Sequence, residues 1–113
     1  MDSMTIEIVK AMEEYTEEVK EEVIDAAKTV AKESVNKLKG LSPEREGNYK
    51  KGWTMKETPG GYTVYNHTAP HLTHLLEKGH AKRNGGRVSG IPHISIVEKE
   101  AVEEFEKMVE GAI

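Results

Sequence analysis

Apolar residues recur every three or four positions along the first third of the chain, a pattern that predicts a long amphipathic helix. Residues 5–39 contain neither glycine nor proline and are mostly strong helix formers. Gly40 follows as the expected terminator. A second apolar row in the later half widens the face enough for that half to lie on a sheet. The first row is Ile8, Met12, Tyr15, Val19, Val23, Ala26 and Val30, and the second is Ile24, Ala27, Ala31, Val35 and Leu38.

The early half of this helix has only a narrow apolar stripe. An unbroken helix of about 35 residues spans about 52 Å, whereas a compact domain of this size is roughly 34 Å across. Residues 1–20 are therefore predicted to overhang the domain, and a neighbouring subunit would have to cover the stripe formed by Ile8, Met12, Tyr15 and Val19. A bend or frayed first turns is the alternative interpretation.

Two runs of partly alternating apolar and polar residues predict a β-hairpin over residues 49–66. The turn residues Pro59, Gly60 and Gly61 separate the two runs. Two strands alone are only marginally stable in water, so the hairpin needs further cover. The long helix supplies part of it, and the segment 87–94 is a candidate third strand.

Two more helices are predicted after the hairpin. A short helix over residues 69–78, capped by Thr68, would bury its leucines and end at Gly79. Ser95 followed by Glu98 forms a capping-box pattern that opens a C-terminal helix. The sequence thus predicts an α+β fold in which a long N-terminal helix and a C-terminal helix pack on a small antiparallel sheet, within a single domain of residues 1–113.

Composition narrows the classes of protein that the chain can belong to. Its 113 residues suffice for one core of moderate size. It has no cysteine, which excludes disulfides, thiolate metal sites and cysteine nucleophiles. No apolar run approaches the ~18 residues of a membrane span, and no secretion signal is recognisable. We therefore expect a cytoplasmic protein, or part of an assembly made in the cytoplasm, with no membrane contact.

Charge is segregated along the chain. The net charge is -4, yet residues 78–93 carry four bases and no acid, while residues 1–40 and 94–113 carry an excess of acids. We predict a flexible basic loop over residues 79–93. Its bases and glycines suit phosphate groups, but it has no aromatic residue for base stacking, and the acidic remainder would repel a polyanion. A solvated mobile loop is a further alternative. We favour contact with an acidic surface of another subunit, through His80, Lys82, Arg83, Arg87 and His93.

The histidines raise the question of a metal site. His67, His71 and His74 have spacings that could place them on one face of a helix. Thr68 and Pro70, however, indicate that His67 lies outside the short helix, and no acid is close by in the sequence. Nucleophile-elbow, phosphate-loop and zinc-protease spacings are also absent from the sequence. We therefore expect no catalytic residues, no metal and no cofactor.

Several motifs resemble one known family. The run from Leu75 to His80, LLEKGH, precedes a basic glycine-rich segment and an Ile-Pro-His-Ile entry into the last helix. Trp53 in a strand and a hairpin ending in Tyr65-Asn66 complete the pattern. In this order the motifs resemble the gene-ten-like neck, head-tail joining and tail-completion proteins of long-tailed phages and prophages.

The resemblance implies a non-enzymatic structural subunit of the virion, assembled in the cytoplasm of the bacterial host. Such a subunit would form a cyclic homo-oligomer, with a hexamer favoured, and contact neighbouring head-completion and tail proteins. Nucleic acid would not be a specific ligand. In a closed ring each interface joins two different surfaces, and an acidic helix against a basic loop is a pairing of that kind. The alternative is a small nucleic-acid-binding module that uses the basic loop 78–93.

Overall fold

The computed structural model describes residues 3–7, 16–43, 48–59 and 61–112. The two long helices and the small antiparallel sheet confirm the predicted fold class. In chain order the elements are β1 (Ser3–Glu7), α1 (Glu17–Leu41), α2 (Asn48–Lys51), β2 (Trp53–Thr58), β3 (Gly61–Asn66), a 3-10 helix (Pro70–Leu72), α3 (Thr73–Lys78), β4 (Gly79–Ala81), β5 (Arg87–Ser89) and α4 (Ile94–Ala112).

The main sheet has three antiparallel strands with β3 in the centre. β2 pairs with β3 as predicted, with Trp53 opposite Asn66. The third strand is β1, which lies on the other side of β3. The segment 87–94 does contain a strand, β5, but β5 pairs with β4 in a separate two-stranded sheet and does not extend the main sheet. The prediction of helix over residues 5–7 is wrong, because these residues belong to β1. A free strand edge satisfies the backbone of a short segment better than the frayed first turn of a helix does.

Helix α1 begins at Glu17, twelve residues later than the sequence pattern predicts. Thr16 caps it, because its hydroxyl accepts a hydrogen bond from the N–H of Val19 at 3.2 Å. The helix runs one residue past Gly40 and ends at Leu41. Its 25 residues span about 37 Å, so its length no longer requires an overhang.

The predicted oligomer stripe falls largely outside the described part of the chain. Ile8, Met12 and Tyr15 belong to residues that the structure does not describe. Val19 is half-buried in the first turn of α1. Contact between subunits along this stripe therefore stays a prediction.

The core lies where α1 and α4 pack against each other and against the sheet. Ala27 and Ala31 on α1 are fully buried, and their small side chains let the elements approach closely. At the solvent edge of the same contact, the Nζ atom of Lys37 lies 3.2 Å from a carboxylate oxygen of Glu100 on α4. The largest apolar members of the core are Val30, Leu38, Tyr49, Trp53, Tyr62, Val64, Ile94 and Val97.

Hydrogen bonds from polar side chains hold Ser42, at the end of α1, and helix α2 against the sheet. The indole N–H of Trp53 donates to the hydroxyl of Ser42 at 2.7 Å. The side-chain amide of Asn66 donates to the carbonyl of Tyr49 at 2.6 Å and accepts from the N–H of Ala69 at 2.9 Å. Tyr49 therefore lies buried in α2, and the prediction that it begins a strand is wrong.

Candidate functional site

The basic segment forms a β-hairpin, and we refer to residues 79–93 as the basic arm. β4 and β5 pair antiparallel, with His80 opposite Val88. At the tip, the N–H of Lys82 donates to the carbonyl of Gly86 at 3.0 Å. Gly85 and Gly86 both have positive φ, at 92° and 81°, which side chains disfavour. The segment predicted as a flexible basic loop thus contains two short paired strands joined by a tight turn, and its flexibility stays a prediction.

At the base of the basic arm, the outgoing and returning backbones touch. A Cβ atom on Gly90 would lie 2.4 Å from the carbonyl oxygen of Glu77, and one on Gly79 would lie 2.2 Å from that of Val88. Only glycine fits at either position without moving the backbone. The N–H of Ile91 also donates to the carbonyl of Leu76 at 2.8 Å. The arm is therefore closed at its base.

The carboxylate of Glu77 joins the end of α3 to the start of α4. Its Oε1 atom accepts hydrogen bonds from the backbone N–H groups of His93 and Ile94, both at 2.7 Å. Its Oε2 atom accepts from the hydroxyl of Ser95 at 2.7 Å and from the N–H of Ser95 at 3.2 Å. The first N–H groups of a helix have no partner within it and carry a partial positive charge, so a carboxylate stabilises them. Glu77 thus acts as the cap of α4 from a distant part of the sequence.

This arrangement corrects the predicted capping box. Helix α4 begins at Ile94, so Ser95 is a helical residue and does not precede the helix. The Ser95 hydroxyl donates its hydrogen bond to Glu77. A carboxylate from α3 therefore takes the place that the sequence pattern assigned to the serine.

Opposing effects set the pKa of Glu77. Burial alone would raise this pKa, because it disfavours the charged form. The hydrogen bonds from the Ser95 hydroxyl and from the N–H groups of His93, Ile94 and Ser95 outweigh burial and lower the pKa below its usual value. Glu77 is therefore a carboxylate at neutral pH.

His93 lies in the core, although the sequence suggested a surface contact. Its side chain is fully buried between the aromatic rings of Tyr49 and Trp53. Its Nδ1 atom lies 2.7 Å from the carbonyl of Ile91 and 3.0 Å from Glu77 Oε1, and both of these oxygens are acceptors. The Nδ1 atom therefore carries a proton and donates to them. The prediction that His93 contacts another subunit is not compatible with this position.

Tyr49 completes this buried set. Its hydroxyl forms a hydrogen bond of 2.6 Å with Nε2 of His93. Burial raises the pKa of Tyr49, and the negative charge of Glu77 raises it further, so the hydroxyl keeps its proton. Neither Tyr49 nor Glu77 was predicted as a site residue. The sequence signal for Glu77 was its position as the last acid before a basic segment.

The four remaining residues of the predicted contact set lie on the hairpin. Lys82 and Arg83 are exposed near the tip, and within the described residues no carboxylate lies within 4.0 Å of either. Arg87 is exposed but donates to the carbonyl of Lys78 at 2.8 Å, which ties it to the base of the arm. His80 is half-buried. The tip thus presents two cations to solvent, and their role in subunit contact stays a prediction.

The histidines near α3 do not converge. The Nδ1 atom of His67 donates to the carbonyl of Gly52 at 2.8 Å, outside the helix. His71 and His74 are exposed. Across the described residues, no three His, Asp or Glu side chains are grouped so that they could hold a metal ion. Within the same ranges, no helix is both long and apolar enough to cross a membrane.

One family model matches the chain, over residues 6–79. It is described as "Bacteriophage HK97-gp10, putative tail-component", and the match covers about two-thirds of the chain. The matched region includes α1, strands β2 and β3, α3 and Glu77 but only the last two residues of β1, and it ends where the basic arm begins. Comparisons with curated proteins and with solved structures return no match.

Proposed function

The chain belongs to the HK97-gp10-like family of bacteriophage tail components, and from this premise we propose that it is a non-enzymatic structural subunit of the head-tail connector, neck or tail-completion region of a virion. It is assembled into the particle in the cytoplasm of the bacterial host. Its partners there are copies of itself and the neighbouring head-completion and tail proteins.

The observation that carries this proposal is the basic arm. The arm follows α3 directly. At its base the backbones at Gly79 and Gly90 touch, and Glu77 binds the N–H of His93. At its tip Lys82 and Arg83 are exposed to solvent. Charged side chains without a partner in their own chain are suited to recognising a surface of opposite charge. Residues 94–113, which include α4, carry such a charge, with six acids against two bases.

We further propose that copies assemble in a ring, with a hexamer favoured. A basic arm and an acidic helix are different surfaces, so a contact between them is heterologous. Heterologous contacts between identical chains close into a ring when the rotation from copy to copy allows it. The family resemblance supports the same arrangement.

The alternative function is a small nucleic-acid-binding module, and the observation in its favour is the same pair of exposed cations. Two features weigh against it. The arm carries no aromatic side chain on which a base could stack, and the chain as a whole has a net charge of -4. Binding to double-stranded DNA through phosphates would weaken steeply as salt rises, and a flat response would exclude this function.

The proposed function is tested in a phage that encodes the chain. Deleting the gene should yield separate heads and tails by electron microscopy, and the wild-type gene supplied in trans should restore joined particles. The double variant Lys82→Glu/Arg83→Glu should fail to restore them. A matched reversal of two exposed lysines on α1, Lys28→Glu/Lys32→Glu, should succeed. Normal particles formed in the absence of the chain would refute the proposed function.

A further inference from the structure

A shallow groove of about 510 Å³ lies between the end of α3 and the first turns of α4. Its lining is mainly apolar, with Ile94 at its deeper side and Val102 51% exposed. Glu98 and Glu103 also line it. We propose that this groove receives the tip of the basic arm of a second copy of the chain, with Arg83 lying across Val102 and pairing with these carboxylates. The inference rests on the proposed function, because it names the surface through which copies of the subunit meet.

The groove has the chemistry that an arginine side chain requires. The three methylene groups of arginine gain by lying on apolar surface, while its guanidinium group keeps polar partners. A carboxylate is the preferred partner, because the planar guanidinium can donate two parallel hydrogen bonds to it. Among the described residues, no cation lies within 4.0 Å of Glu98 or Glu103. Both carboxylates are therefore available to a cation from outside the chain.

The arm tip supplies a matching side chain. Arg83 is exposed, and the tight turn over residues 82–86 fixes the backbone that presents it. Arg83 lies in this turn, two residues beyond the end of β4 at Ala81. No residue of the arm lines the groove of its own chain. The tip and the groove are therefore separate surfaces of one molecule, as a head-to-tail contact requires.

The charge balance of the groove favours a single inserted side chain over a polyanion or a highly basic peptide. Lys78 and Lys99 also line the groove, so three carboxylates, including that of Glu77, face two ammonium groups. The resulting charge is small. Recognition therefore depends on local pairing and on the covered apolar surface, and it should weaken only moderately as salt rises.

The first experiment uses charge reversal and mixing. Self-association of the full chain is measured by sedimentation velocity up to about 1 mM. Arg83→Glu and Glu103→Arg should each weaken it at least about tenfold, the effect expected when one partner of a charge pair is reversed. A mixture of the two variants should associate as wild type does, because each interface in the mixture again joins opposite charges. The matched controls are Lys28→Glu and Glu22→Arg, both at exposed positions on α1.

The second experiment uses the absence of cysteine from the chain. The double variant Asn84→Cys/Val102→Cys, which keeps Arg83, should form a ladder of disulfide-linked oligomers under mild oxidation. A disulfide requires Cα atoms about 4.4–6.8 Å apart, so the ladder reports direct contact between tip and groove. Each single variant should give at most a dimer. The pair Asn84→Cys/Lys28→Cys serves as control and should give no ladder.

The outcomes separate this inference from the proposed function. If the wild type associates but Arg83→Glu and Glu103→Arg do so equally well, or if the cysteine ladder is absent, the groove is not the docking surface, while assembly by self-association stands. If both variants are impaired and mixing does not restore association, the pairing of Arg83 with this groove is wrong. A wild type that remains monomeric up to about 1 mM would overturn both the docking contact and self-assembly.

Discussion

Replacing Glu77 with glutamine tests whether one carboxylate holds the basic arm closed and caps α4. The substitution keeps the shape of the side chain but removes its charge and turns one acceptor into an N–H₂ donor. Glutamine can still accept from the N–H groups of His93 and Ile94, now as a neutral group. The two hydrogen bonds at Ser95 lose their acceptor. Helix α4 therefore keeps only part of its cap.

The size of the effect follows from these contacts. Making two charge-assisted hydrogen bonds neutral costs about 2–3 kcal/mol, because bonds to charged groups contribute about 1.5–3 kcal/mol each and neutral ones about 0.5–1.5. Losing the negative charge at the helix N-terminus costs about a further 0.3–1 kcal/mol. We expect Glu77→Gln to lower the free energy of unfolding by about 2–4 kcal/mol at pH 7. Glu106→Gln, on an exposed part of α4, should change it by less than about 0.5 kcal/mol.

The pH dependence makes this prediction sharper. The folded state lowers the pKa of Glu77, so its stabilising contribution is complete above the pKa of the unfolded chain and is lost as pH falls through the lower folded value. The difference between wild type and Glu77→Gln should thus be largest near neutral pH and should shrink below about pH 4. Urea unfolding followed by circular dichroism at several pH values measures it. A difference that stays constant from pH 3 to pH 7, or that is below about 0.5 kcal/mol throughout, would refute the role assigned to Glu77.

Three further substitutions probe the arm, the buried histidine and the helix contact. Gly90→Ala should lower the free energy of unfolding in urea by about 2–4 kcal/mol, because the added Cβ atom would lie 2.4 Å from the carbonyl oxygen of Glu77. Gly40→Ala is the control: it lies in α1 with open space around it, and it should raise the free energy of unfolding by about 0.5–1 kcal/mol. Tyr49→Phe leaves the buried Nε2 atom of His93 without its hydrogen-bond partner and should cost about 1–3 kcal/mol by the same measurement, and an unchanged stability would contradict this hydrogen bond. A hydrogen bond with Glu33 and, to a smaller extent, burial raise the pKa of Glu104 in the folded state. The folded state therefore favours the protonated carboxyl group, and the stability that this group contributes is lost as pH rises through the folded-state pKa. Glu104→Gln should therefore gain stability relative to wild type between pH 4 and pH 7 in thermal unfolding, and a gain at acidic pH alone would contradict this sign.

The sequence predicts those parts of the fold whose pattern is local. The later half of α1 and most of α4 follow from apolar spacings of three and four, and the β2–β3 hairpin follows from alternation around a glycine turn. Strand β1 is missed because its partner, β3, lies more than fifty residues away. Read alone, Ser3–Glu7 is indistinguishable from the ragged start of a helix, and only the free edge of β3 decides its conformation.

The candidate site is missed for a different reason. Glycines in a basic segment predict flexibility, yet Gly79 and Gly90 are required where two backbones touch. The position of His93 in the basic segment predicts a contact residue, whereas the structure buries its ring against Tyr49 of α2. The role of Glu77 depends on the start of α4, 17 residues along the chain from it. Such tertiary contacts leave no periodic signal in a single sequence.

The closed arm changes the energetics of the proposed contact between copies. Ordering a flexible segment of about ten residues on binding would cost on the order of 10 kcal/mol in conformational entropy, which a small interface at its tip could not offset. In this structure the close backbone contact at Gly79 and Gly90 and the hydrogen bonds of Glu77 already hold the arm in place. The entropy of ordering the arm is therefore lost when the monomer folds and not when two copies bind. Glu77→Gln should therefore weaken self-association as well as stability, both because the arm loses this contact at its base and because Glu77 is one of the carboxylates that line the groove. Stability lost without any loss of association would mean that the arm stays ordered without its carboxylate.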